Sequence, residues 1–135
     1  MLKMKLPLSV FLCLKDMADR NNVKYPSWAA KSNIHNTRIS EYIKMHQVEI
    51  GIEKHTENAK KRAFTLETAV ALYKGLKKII GEDRMKKDMM NCIETESDPL
   101  KKIILMAMVK AEEGDKKFIK MAAEYLELLF KADRK

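Results

Sequence analysis

Glycine, proline and cysteine are scarce in this chain, and each shortage excludes a class of protein. Four glycines and three prolines in 135 residues exclude collagen-like and proline-rich architectures and argue against long irregular loops. The two cysteines, Cys13 and Cys92, form no CxxC motif, which excludes a disulfide scaffold and favours a reducing, cytoplasmic setting. Low glycine together with ten methionines favours a mainly helical fold.

Long apolar runs and catalytic motifs are also missing. No stretch approaches the roughly 20 apolar residues that cross a bilayer. The apolar stretch Leu6–Leu14 runs into charged residues without a small-residue cleavage site, so we interpret it as a core helix. His35, His46 and His55 are spaced too widely for a helical zinc site. Because phosphate-binding glycine loops and nucleophile elbows are absent as well, the sequence predicts no enzyme, no cofactor and no bound metal.

Positive charge is the strongest compositional signal. The net charge is +8, with 12 Lys and Arg against 6 Asp and Glu in residues 1–62, and 15 against 13 in residues 63–135. A small protein this basic favours a polyanionic partner, nucleic acid before an anionic membrane. Because the surplus lies in the first half, the sequence predicts a basic face there.

Apolar residues recur at three- and four-residue spacing through most of the chain, which predicts helices. Ser27, Thr65 and Asp98 are expected to cap helix starts, and Gly81 and Gly114 to end helices. The predicted helices are Leu8–Arg20, Ser27–Ser32, Asn36–His46, Leu66–Ile80, Glu82–Glu94, Leu100–Ala111 and Lys116–Lys131.

Between the third and fourth of these helices the apolar period changes to two. Val48, Ile50 and Ile52 alternate with polar residues or glycine, which is typical of a half-buried strand. A polar, basic stretch follows, and then the residues AFTL, a candidate returning strand. The sequence therefore predicts a β-hairpin over Val48–Leu66 with a basic tip.

The segment Trp28–Tyr42 has the spacing of a helix–turn–helix. Ala29 is a small residue where two helices can nearly touch, and Asn33 tolerates the left-handed conformation that a tight turn needs. Ile34 and Ile39 supply the apolar contacts after the turn. Two short helices that cross through a tight turn are expected here.

This segment resembles the helix–turn–helix of the phage Cro and repressor family of DNA-binding regulators. The pairs that fall in the family's register are Trp28-Ala29, Asn33-Ile34 and Ile39-Ser40. Two residues depart from the usual pattern: Asn33 replaces glycine, and Ser32 stands where the family has an apolar residue.

With the hairpin, the unit resembles a winged helix–turn–helix domain, so the expected fold class is mainly α with a small β-hairpin and a C-terminal helical extension. The resemblance implies that the third helix enters the major groove and that the hairpin, the wing, lies beside it on the DNA. Implied base-reading residues are His35, Asn36, Thr37, Arg38, Ser40, Glu41 and Lys44. Implied phosphate and wing contacts are Ser27, Lys31, Lys54, His55, Lys60, Lys61 and Arg62. An ordinary solvated surface is the alternative interpretation of both sets.

The expected domains are a winged DNA-binding domain over residues 1–81 and a helical dimerisation or effector region over residues 82–135. Leu100–Ala111 is apolar on nearly every face, so it needs cover from a second copy or, alternatively, from the chain's own helices. The sequence thus predicts a cytoplasmic, sequence-specific transcriptional regulator that binds double-stranded DNA as a homodimer on an inverted repeat. The alternatives are a helical protein–protein adaptor or antitoxin-like protein and, ranked lower, an RNA binder, since no aromatic cluster suits base stacking.

Overall fold

The computed structural model describes residues 5–49 and 64–133, and in these ranges the chain is helical. The seven helices of the described residues are α1 (Leu8–Arg20), α2 (Tyr25–Lys31), α3 (Thr37–Glu49), α4 (Leu66–Ile80), α5 (Glu82–Thr95), α6 (Pro99–Glu112) and α7 (Lys116–Asp133). An isolated antiparallel bridge joins Lys5 to Thr65. Over the same ranges no named strand and no sheet occur.

The predicted winged fold with its β-hairpin is wrong. Val48, the first residue of the predicted hairpin, lies in the last turn of α3, and Leu66, its last residue, begins α4. Alternation over a few residues is a short signal, and here its first residue, Val48, belongs to the helix that starts at Thr37. The rest of the predicted hairpin, residues 50–63, lies outside the described residues, as do the wing candidates Lys54, His55, Lys60, Lys61 and Arg62.

Local capping chemistry sets most helix boundaries. Thr65 Oγ1 accepts a hydrogen bond from the backbone N–H of Thr68 at 3.3 Å, and Asp98 accepts one from that of Leu100 at 3.0 Å. Both predicted caps are confirmed. The predicted cap at Ser27 is wrong, because α2 begins two residues earlier and Ser27 is an exposed residue of its first turn.

Four aromatic rings from separate segments form the centre of the N-terminal half. Phe11 of α1 lies 6.1 Å from Trp28 of α2, 5.4 Å from Tyr42 of α3 and 5.9 Å from Phe64, measured between ring centroids. The indole N–H of Trp28 donates to the carbonyl of Leu72 in α4 at 2.9 Å. These contacts hold α2 and α3 in one orientation against α1 and α4.

The apolar helix α6 is covered by the chain itself. It packs against α1, α4, α5 and α7, and Ile104, Leu105, Ala107 and Met108 are buried. Each residue from Leu100 to Glu112 is at least partly buried. The alternative of a self-contained bundle therefore accounts for this helix, and its hydrophobicity no longer requires a second copy. Within the described ranges, no helix combines the length and apolarity needed to cross a membrane.

Candidate nucleic-acid interface

A tight turn joins α2 to α3. Asn33 has φ 57°, which confirms the predicted left-handed turn residue. The backbone N–H of Asn33 donates to the carbonyl of Ala30 at 3.2 Å, and that of Ile34 donates to Ala29 at 3.1 Å. These bonds satisfy the carbonyls at the end of α2 and redirect the chain into α3 within a few residues.

The inner side of this two-helix unit is apolar and closed. Trp28, Ala29, Ile39 and Tyr42 are fully buried, and Ile34 is half-buried against the core. These are the residues whose spacing suggested the motif. The unit is thus held rigidly through its inner face, and its outer face borders solvent.

Ser32, which departs from the family pattern, has a packing role. It is buried, and its hydroxyl donates to the carbonyl of Trp28 at 2.7 Å. Gly75 of α4 lies directly against it: a Cβ built on Gly75 would overlap Ser32 Oγ and lie 2.8 Å from the Ser32 backbone nitrogen. A serine facing a glycine therefore lets α2 and α4 approach more closely than larger side chains would allow.

The outer side of α3 presents polar side chains near its start. Exposed residues are His35, Asn36, Thr37, Ser40 and Lys44, whereas Arg38 and Glu41 are half-buried. Thr37, Ser40, Glu41 and Lys44 share one face because of their three- and four-residue spacing. The structure thus brings together the predicted base-reading set on and beside one face, with Arg38 at its flank.

His35 has a local role that the sequence interpretation missed. Its Nδ1 accepts a hydrogen bond from the backbone N–H of Thr37 at 3.3 Å and lies 2.8 Å from Thr37 Oγ1. The ring therefore helps to satisfy the first N–H groups of α3, and Nε2 is its remaining polar atom. A histidine two residues before the first helical residue is the signal that could have suggested this role.

The surface around α3 is basic. Residues 24–49 contain four basic residues, Lys24, Lys31, Arg38 and Lys44, against two carboxylates, Glu41 and Glu49. Ser27 and Lys31, the predicted phosphate contacts of α2, are both exposed. The described part of the unit therefore carries a net positive charge beside its polar face, which favours a polyanion.

A second group of reactive side chains lies between α1, α5 and α6. Hydrogen bonding with the Cys92 thiol lowers the pKa of Cys13 to about 7, against burial, which raises it; nearby Lys101 also lowers it. The same contact, together with burial, raises the pKa of Cys92. Lys101 in turn pairs with Glu96 at 3.3 Å. Cys13 and Cys92 are far apart in the sequence, so no local pattern announces this pair.

Metal ligands do not cluster in the described part of the chain: no group of three or more His, Cys, Asp or Glu side chains there could hold a metal ion. Comparisons with protein-family models, with curated proteins and with solved structures find no match for this chain. Its function must therefore be inferred from the geometry and chemistry of its own surfaces.

Proposed function

We propose that this chain is a transcriptional regulator that binds double-stranded DNA with the start of α3 in the major groove. The observation that carries the proposal is the two-sidedness of the α2–α3 unit: Trp28, Ile39 and Tyr42 are fully buried, and polar side chains project from the opposite face. In helix–turn–helix proteins, residues near the N-terminus of the second helix contact base edges. A cytoplasmic location is part of this proposal.

The exposed residues suit particular contacts. Asn36 can form two hydrogen bonds with adenine, and Thr37 can contact a thymine methyl group or a phosphate. Arg38, at the flank, is suited to guanine or a phosphate, and Glu41 to the amino group of cytosine. Lys44 extends the same face with a positive charge. On α2, Ser27 and Lys31 are suited to phosphates, which set the position of the protein on the duplex.

Homodimerisation is part of the proposal. The proposed contact between the two copies lies on α7 rather than on α6, the helix that the sequence indicated. Met121, Tyr125 and Leu128 are 60%, 45% and 66% exposed and recur at i, i+4 and i+7 along α7. Large apolar side chains in one exposed row favour a protein contact. Ala122 and Leu126, on the inner side of the same helix, are buried in the chain's own core.

A second copy of the chain, in antiparallel orientation, is the proposed occupant of this row. Charged residues of both signs, Lys120, Glu124 and Glu127, adjoin the row along the helix, as is common at the rim of a protein contact. Two copies related by a twofold axis match an inverted-repeat DNA site.

The experiment that tests the proposal is one round of sequence selection from a random duplex pool with the full chain and with Asn36→Ala. We expect the full chain to enrich an inverted repeat. Asn36→Ala should relax the preference at one position of each half-site, at a cost of about 1–3 kcal/mol. Lys87→Ala, an exposed residue of α5, is the control and should enrich the same sequence as the unaltered chain.

The exposed row on α7 also favours a second candidate function, a helical protein–protein adaptor. In that case the row binds a different protein, and α3 is an ordinary polar surface. A chain that remains monomeric and enriches no duplex sequence would support this alternative and contradict the first proposal.

A further inference from the structure

A cavity of about 560 Å³ lies behind the turn between α2 and α3. Its walls come from that turn, from one side of α4 and from the turn between α6 and α7. Small-molecule sites in proteins usually enclose about 300–1,000 Å³. The cavity is therefore of the size that holds a metabolite rather than a few water molecules.

The inner surface of the cavity is partly apolar. Val70 and Ala71 come from α4, Ala111 from α6 and Ile119 from α7. All four are half-buried, so each retains apolar surface that a ligand could cover. Because these residues belong to three helices of one packed core, the wall is formed before any ligand arrives.

Lysines surround this apolar wall. Lys31, Lys74, Lys78 and Lys116 line the cavity, and Glu67 is the single carboxylate among the lining residues. In the described residues none of the four ammonium groups lies within ion-pair distance of a carboxylate. The cavity therefore combines apolar surface with an excess of positive charge that the described residues do not neutralise.

The neighbouring Lys77, in contrast to the four lysines of the cavity, is paired with a carboxylate. It lies on the same helix between Lys74 and Lys78, but its Nζ is 2.7 Å from Glu112 Oε1, and this hydrogen bond raises its pKa. One lysine of α4 thus forms an ion pair within the fold, and two others, Lys74 and Lys78, line the cavity without one. Positive charges gathered around a concave surface concentrate small anions there.

We propose that this cavity binds a small organic anion that joins an apolar body to a carboxylate, phosphate or similar anionic head group. The apolar wall would cover the body, and the lysines would bind the head group. Neither part of the site is sufficient alone, because the lysines are exposed and exposed charge pairs contribute little by themselves.

Such a ligand would touch the turn that orients α3. Ser32 and Asn33 both line the cavity, and Ser32 is packed against Gly75 with no space to move inward. An effect of the ligand on DNA affinity rests on the proposed function. Ligand binding to the cavity does not depend on that function, so the ligand site and the DNA-binding proposal can be contradicted separately.

The test uses anilinonaphthalene sulfonate, a fluorescent anion with an apolar body, titrated into the full chain without DNA. We expect saturable binding of one probe per chain. The uncharged analogue phenylnaphthylamine, which lacks the sulfonate, should bind at least about tenfold more weakly, a difference of about 1.4 kcal/mol.

Variants locate the site. Lys74→Glu with Lys116→Glu should weaken binding of the sulfonate probe at least about tenfold. Lys86→Glu with Lys87→Glu makes the same charge change on exposed residues of α5 and should leave binding unchanged. Ala71→Phe, which places a large side chain in the space next to the apolar wall without changing the charge, should weaken binding of both probes. Unchanged circular dichroism and thermal unfolding show that each variant is folded.

The proposal is overturned if the two charge variants bind the probe equally well, or if Ala71→Phe leaves binding unchanged. It is also overturned if Leu128→Glu, on the exposed row of α7, abolishes binding, since the probe then occupies that row instead. A second titration follows DNA affinity with and without the probe. Absence of DNA binding together with normal probe binding contradicts only the proposed function.

Discussion

The helices α3 and α7 both border solvent, but their outer faces differ in chemistry. The outer face of α3 carries Asn36, Thr37, Ser40 and Lys44 around its start, and that of α7 carries the apolar row of Met121, Tyr125 and Leu128. Both helices bury apolar residues on their inner sides, so packing alone does not explain the difference. The polar face suits the grooves of a charged duplex, and the apolar row suits another protein surface.

The largest effect is expected from the inner side of the α2–α3 unit. Trp28→Ala removes a fully buried ring and the indole hydrogen bond to Leu72, so the free energy of unfolding should fall by about 3–5 kcal/mol. Tyr125→Ala on the outer side of α7 should change it by less than about 0.5 kcal/mol in the monomer. Urea unfolding followed by circular dichroism measures both. Equal losses would contradict the contrast between the two regions.

The close approach of α2 and α4 gives the next effect. Gly75→Ala would normally stabilise a helix, but here the added methyl group meets Ser32. We expect a loss of about 1–3 kcal/mol of unfolding free energy, typical of overpacking. Removing the hydroxyl as well, in Ser32→Ala with Gly75→Ala, should restore part of this loss because the two positions are coupled. A stabilised Gly75→Ala variant would show that the helices have room to separate.

The apolar row of α7 is tested by Leu128→Glu. If two antiparallel copies meet there, a buried negative charge should weaken dimerisation at least about tenfold, or about 1.4 kcal/mol. Sedimentation equilibrium over a range of concentrations measures the change. Lys120→Glu, which reverses a charge next to the row without removing apolar surface, should weaken the dimer less. A dimer that is insensitive to Leu128→Glu would place the contact elsewhere.

The smallest effect concerns Cys13 on α1, a helix that packs against both α3 and α6. Since the thiolate is the reactive form, its alkylation by iodoacetamide should fall as the pH drops through about 7, the value to which its pKa is lowered by Cys92. Cys92→Ala, which removes the hydrogen-bond donor, should shift this midpoint upward.

The effect of pH on stability follows the same pKa. A thiol whose pKa is lower in the folded chain stabilises the fold above its ordinary pKa of 9.0, and this contribution is lost as the pH falls through about 7. An alkylation midpoint near pH 9 in the unaltered chain would contradict the contact between the two thiols.

Much of the fold was predictable because its signals are local. The bounds of α1 and α4 agree with the periodicity and caps of the sequence, and Asn33 adopts the expected left-handed turn. The hairpin prediction failed at Val48 because alternation over a few residues cannot be distinguished from the end of a helix. Ser32 against Gly75, and Cys13 beside Cys92, depend on contacts between distant segments. Such contacts leave no periodic trace in the chain.

The central claim, that the polar face of α3 binds duplex DNA, is tested most directly by fluorescence anisotropy. A labelled random duplex pool is titrated with the unaltered chain, with Lys44→Glu and with Lys87→Glu, at several salt concentrations. We expect the affinity to fall steeply with salt, Lys44→Glu to bind at least about tenfold more weakly, and Lys87→Glu to change binding far less. No duplex binding at low salt, or equal losses in the two variants, would contradict the claim.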